Sequence, residues 1–135
     1  MNIGEIKSLV AKENDGAAIP IYQKNGDPYL GADGEQSTIT VVGSESKQYK
    51  AARHTQYRRM QKRVKLGRGE ATPEELERDV LDLAAAAVVG FSGWEEGGEP
   101  LAFTPENVKL LLGFDHILDQ VQAGIHRHAS FFGDE

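Results

Sequence analysis

Residues 71–90 read ATPEELERDVLDLAAAAVVG, and the fold turns on this stretch. Thr72 is placed to cap a helix, Pro73 stands at its first position, and Glu75 completes a capping box three residues after the cap. Acidic residues crowd the first turns, where the helix dipole favours them. Leu76, Val80, Leu83, Ala84 and Ala87 recur at helical spacing and predict one apolar face. The small alanines let another backbone approach closely. The pattern predicts a helix over 73–89 that stops at Gly90.

Toward the C terminus, FTPENVKLLLG (103–113) repeats the device. Thr104 is the cap, Pro105 the first helical residue and Gly113 the terminator. Phe103, just before the cap, is expected to staple onto Val108, and Leu101 and Phe103 are expected in the core. In DHILDQVQAGIHRHASFF (115–132), Asp115 is a candidate cap, and Ile117, Leu118, Val121 and Ile125 form an apolar face. Trp94, in the link between the two helical stretches, is expected to bury its ring against the alanine face.

Toward the N terminus, SESKQYKAARHTQYRRMQKRVKLGRG (44–69) predicts a long helix with Ser44 as cap and Gly67 and Gly69 as terminators. Lys47 occupies the position where a capping box would place Glu. Tyr49, Ala52, Tyr57, Met60 and Val64 make a loose apolar stripe. Before it, residues 17–43 change character. Ile19, Ile21 and Tyr22 favour an extended segment, KNGDP and GADGEQ carry turn chemistry, and STITVV is rich in β-branched residues. This predicts an antiparallel sheet of two or three strands within 17–43. Such a sheet needs helical cover, and its edge could receive a partner strand. Ile3, Ile6, Leu9 and Val10 predict a short first helix, followed by a turn at Asn14, Asp15 and Gly16. The expected class is α+β: a small N-terminal antiparallel β region followed by a bundle of three to four helices. Residues 1–43 are the N-terminal extended or β region and 44–135 the helical region, together one compact domain.

The chain has 135 residues, no cysteine and a formal net charge of −6. One domain is the default at this length. Without cysteine there is no thiol nucleophile, thiolate metal site or disulfide, which suits a reducing, intracellular compartment. No signal peptide and no 18-residue apolar run appears, so no membrane partner is expected. Charge is segregated. Nine of the 15 basic residues lie between Lys47 and Arg68, and nine of the 21 acidic residues lie between Glu70 and Glu99, against Arg78 alone. The two helices could therefore attract each other or other copies, and a homo-oligomer is expected.

Candidate chemistry is sparse. His126 and His128 are spaced i, i+2, which separates the rings on a helix, and His54 and His116 lie in no metal-ligand spacing. Glu95 and Glu96 adjoin Trp94 and two glycines, which reads as a solvated loop and not as an acid–base pair. LGRGEATPE could offer an anion the start of a helix, but the acidic first turn opposes it. No catalytic, cofactor-binding or metal-binding residue is assigned, and no enzyme is expected. The basic helix 47–65 mixes Lys and Arg with tyrosines, as a nucleic-acid surface would. Its charges fall around the helix and not on one stripe, and the acidic helix offers an internal counter-charge. Solvated face, partner-binding face and nucleic-acid surface are all readings of it.

The block LDLAAAAVVGFSGWEEGGEPLAFTPENVKLLLG…ILDQVQAGIHRHASFF resembles the tail assembly chaperones of long-tailed, siphovirus-type bacteriophages. Those proteins carry an alanine-rich helix, a tryptophan in a short W-x-G region, a link ending in PLxFTPEN with leucines after it, and a last helix finishing in a basic residue and a phenylalanine. The matching residues are Trp94, Pro100, Leu101, Phe103, Thr104, Pro105, Glu106, Asn107, Leu111, Leu112, Arg127 and Phe131. VVGSESKQYKAARH fits the family's entry into a charged helix more loosely. The likeness covers most of residues 35–132. It implies a protein of the host cytoplasm, absent from the mature virion, that coats the tape-measure protein until tail tube subunits displace it. The major tail tube protein is then a further partner. A translationally frameshifted longer form exists in many such phages. Two other classes stay open: a structural tail or head–tail connector protein, and a nucleic-acid-binding module using helix 47–65.

Overall fold

The computed structural model describes residues 2–67, 69 and 71–127. The side chains of Leu9 and Val10, and all of His128, Phe131 and Phe132, lie outside the described residues. The elements are α1 (Ile3–Asp15), β1 (Ala17–Pro20), β2 (Thr38–Val41), α2 (Lys47–Lys65), α3 (Pro73–Ala87), β3 (Val88–Ser92), β4 (Glu95–Glu96), β5 (Glu99–Pro100), α4 (Pro105–Leu112) and α5 (Asp115–His126). The class is α+β: a small antiparallel sheet and, from residue 47 on, four helices among the described residues.

The sheet runs β1-β2-β3 with β2 central, antiparallel to both neighbours. β3 corrects two expectations. The helix expected to reach Val89 ends at Ala87, and Gly90 lies inside a strand, paired with Thr40. The sheet is therefore not confined to 17–43. The alanines propagate the helix, whereas Val88, Val89 and Phe91 have the shape for a pleated surface and meet the open side of β2. The register slips between Thr40 and Val41, which bulges β3 at Val89. β1 and β3 are the outer strands.

The segment between β2 and α2 is a junction. The backbone N–H of Val42 donates to the Ala87 carbonyl at the end of α3, that of Gly43 to Glu13 in α1, and that of Ser44 to Ile125 in α5. Three helix C-termini thus find donors for carbonyls that a helix leaves unpaired. This displaces the expected cap. Ser44 is held by α5, and Ser46, fully buried, caps α2 by accepting from the Tyr49 N–H. Asn14 adds a second acceptor, for the Lys47 N–H at 2.8 Å.

The core joins Ile21, Ile39 and Val41 from the sheet side to Ala84, Ala87 and Val88, to Val108, Leu111 and Leu112 on α4, and to Ile117, Val121 and Ile125 on α5. Gly124 lets α5 approach β1: a Cβ there would run into the Ile19 side chain. The caps of α3 and α4 form as their sequences predict, including the Thr72–Glu75 box and Thr104 accepting from the Asn107 N–H. Asp115 is not a cap. Phe114 holds that position without a side-chain bond, because the chain turns from α4 into α5 within two residues.

Candidate interaction surface

The basic and acidic helices pack as an antiparallel hairpin, and the charges that face each other pair. Arg63 reaches Glu75 and Asp79, both at 3.3 Å, and Arg59 reaches Asp79 at 3.3 Å. Asp82 lies 4.0 Å from Arg59 and 3.4 Å from Lys109 of α4. The Gln56 amide donates to the Asp79 carbonyl at 2.6 Å. Asp79 is therefore held from three sides, and the Arg63 side chain is only 13% exposed. Lys47, Lys50, Arg53, Arg58, Lys62 and Lys65 point elsewhere. None of them has a carboxylate partner among the described residues, so α2 keeps an uncompensated basic exterior.

The apolar stripe of α2 divides in two. Tyr49 is buried and Ala52 half-buried, but Tyr57, Met60 and Val64 are 57%, 50% and 67% exposed. On α3, Ala84 and Ala87 are buried and Leu83 half-buried, whereas Leu76 and Val80 are exposed, against expectation. The cause is reach. The sheet, α4 and α5 cover only the part of the hairpin nearest the junction. The far part carries helical-period apolar residues that the described residues leave exposed. Tyr57, Met60, Val64 and Leu76 line a common groove with Arg53 and His54. That both helices leave their stripes uncovered at the same end has no signal in a one-helix pattern.

Trp94 is half-buried and fixed at both ends of its indole. Nε1–H donates to the Thr38 carbonyl at the start of β2, 3.0 Å away, and the ring lies 5.4 Å from that of Tyr29. Tyr29 in turn bonds His116 of α5, Oη to Nε2 at 2.6 Å. The relay adds to the packing of Trp94 against the buried core, which includes Ala84 and Ala87. It joins the loop before β2, the link after β3 and α5. Gly93 is needed beside it: its φ is +83°, and a Cβ would stand 3.0 Å from Ser37 Cα. Leu101 packs on the core, but Phe103 does not. It is half exposed and sets its ring edge-on against Phe91 at 5.2 Å.

Glu95 and Glu96 are exposed on a two-residue ladder with Glu99 and Pro100, turned by Gly97 and Gly98 at φ +60° and +83°. His54 is exposed, and His126 bonds Tyr49 Oη at 3.3 Å. Among the described residues no three His, Asp or Glu side chains converge on a point where a metal ion could sit. No described helix is long and apolar enough to cross a membrane. Comparison with family models, with curated proteins and with solved structures finds no match.

Proposed function

We propose that this chain is a tail assembly chaperone of a long-tailed bacteriophage, which binds the tape-measure protein in the host cytoplasm before the tail tube forms. The family enters through the likeness around Trp94–Asn107. The observation that carries the binding role is the uncovered stripe of Tyr57, Met60, Val64, Leu76 and Val80 on a hairpin whose other end completes the core. A chain with a finished core gains nothing for its own fold by exposing contiguous apolar residues, and such a patch marks a place for a partner.

The proposed mechanism is coating. A tape-measure protein is long and helical, with apolar stripes that would associate prematurely. Many chaperone copies, each holding on through a modest surface, would cover those stripes, and contacts between copies would add avidity. Moderate affinity per copy lets tube subunits displace them. No residue is assigned a catalytic role.

The test is co-expression of the tagged chain with the tape-measure protein encoded beside it, followed by affinity capture and by protein analysis of purified particles. Capture of the tape measure, with the chain missing from particles, is the expected result. A fixed copy number in finished particles would favour the connector reading instead. The six bases of α2 that have no carboxylate partner among the described residues favour a second test, retention on duplex DNA. Binding that weakens steeply with salt, in the absence of tape-measure capture, would favour the nucleic-acid module.

A further inference from the structure

We infer that the groove between α2 and the start of α3 is the partner-binding site, and that its occupant is an amphipathic helix with an apolar stripe flanked by acidic side chains. The floor is apolar: Tyr57, Met60 and Val64 from α2, and Leu76 from α3. Tyr57, Met60 and Val64 repeat at i, i+3 and i+7, so they stand on one shoulder of the helix. From Arg53 to Val64 the groove runs about 17 Å at 1.5 Å per residue, the length of about three helical turns. A helix laid in such a trough presents anchors at i, i+3, i+4 and i+7.

Charge selects among helices. Arg53 and His54 line the groove, and Arg58 and Lys62 continue the basic exterior of α2. Asp79, the acid that lines the groove among the described residues, is already held by Arg59 and Arg63. A glutamate or aspartate flanking a partner's apolar stripe would meet Arg53, which has no carboxylate partner among the described residues. A second copy docked by the same face about a two-fold axis would instead bring the Arg53 side chains of both copies into one interface. Like charges brought together in an interface oppose it. Arg63, pinned to Glu75 and Asp79, holds the two walls in place before any partner arrives.

This deepens the proposed function by naming the surface that takes the client, and it can fail separately. The probe is a synthetic 18-residue helical peptide with leucines at i, i+3, i+4 and i+7 and glutamates on both flanks, labelled for fluorescence anisotropy. Its control carries the same leucines with lysines as flanks. The glutamate peptide should bind at least tenfold tighter than the lysine peptide, and less tightly as salt rises. Met60→Glu, at an exposed helix position, should weaken it at least tenfold with the helical circular dichroism spectrum unchanged, and Arg53→Glu should weaken it severalfold. Equal binding of both peptides, or indifference to Met60→Glu, overturns the inference. So does a dimer seen by sedimentation that Met60→Glu dissolves, which would make a second copy the occupant. At least tenfold tighter peptide binding after truncation at Arg127 also overturns it, in favour of residues 128–135. Tape-measure capture that survives Met60→Glu would sink the groove and leave the function standing. Peptide binding without tape-measure capture would do the reverse.

Discussion

The Gln120 side chain closes both backbone groups of Tyr22, across 98 positions of sequence. Its Oε1 accepts from the Tyr22 N–H at 2.8 Å, and its Nε2 donates to the Tyr22 carbonyl at 2.9 Å. One amide on α5 thus acts as a strand of a single residue beside the chain that leaves β1. It stands where the sheet has no further partner to offer. Gln120→Ala should cost about 1–2 kcal/mol, since each bond contributes roughly 0.5–1.5 kcal/mol and water can reach the site. The sharper reading is amide exchange: the Tyr22 N–H should lose protection in the variant while the β2 amides keep theirs. Unchanged exchange at Tyr22 would show that the contact is idle in solution.

Trp94 should be a structural anchor of the β2 end. Trp94→Ala removes a half-buried ring and its contact with Tyr29, at a cost of about 3 kcal/mol. Trp94→Phe keeps most of the ring but leaves the Thr38 carbonyl without its donor, which should cost about 1 kcal/mol. Denaturant midpoints of the two variants give the comparison. A loss under about 0.5 kcal/mol for Trp94→Ala would class the ring with ordinary surface groups.

The two arginines that face α3 should differ. Arg63 is 13% exposed and contacts two carboxylates, whereas Arg59 is 46% exposed. Arg63→Ala should cost about 1–3 kcal/mol, between surface and fully buried pairs, and Arg59→Ala no more than about 1 kcal/mol. In 1 M salt the Arg59 effect should vanish and most of the Arg63 effect remain, because screening acts on the exposed pair. A double-mutant cycle of Arg63 with Asp79 measures the coupling directly, and zero coupling would deny the clamp.

What was legible in the sequence was what is local. The Thr72 and Thr104 caps act within three residues, and a pattern can show that. Ser46 against Ser44 is a different matter. Both are capping residues in SES, and the choice is made by Ile125, which takes the Ser44 N–H from 81 positions away. β3 was hidden for the same reason. VVGFS can continue a helix or form a strand, and the decision comes from Thr38–Val41, about fifty residues earlier. The apolar stripes of α2 and α3 were legible as stripes. Their exposed ends were not, because no local pattern states how far the sheet, α4 and α5 extend along the hairpin. Segregated charge announced that the two helices could attract each other. It could not say which of the nine bases would meet an acid.

Tyr49 should make the protein sensitive to base. The residue is 6% exposed in the first turn of α2, with its Oη 3.3 Å from His126 Nε2. Burial raises the phenol above its usual value of 10.0, and the Arg53 guanidinium nearby acts more weakly in the opposite direction. A phenol is neutral when protonated, so the folded state holds this proton more tightly than the unfolded chain does. Below pH 10 both states are protonated, and Tyr49 contributes its full packing. As pH rises past that value the unfolded chain ionises first, and stability is lost until the folded phenol ionises too. Tyr49→Phe removes the titration and the His126 bond together. Wild type should therefore exceed the variant by a constant amount, about 1 kcal/mol, from pH 7 to about pH 9. The difference should then shrink as pH rises past 10, with a slope of at most about 1.4 kcal/mol per pH unit. Urea midpoints at stepped pH follow this, and taking the difference cancels every other tyrosine and lysine. A constant difference up to pH 11 would mean that the ring ionises as freely in the fold as outside it, and that the α2–α5 contact is open to water.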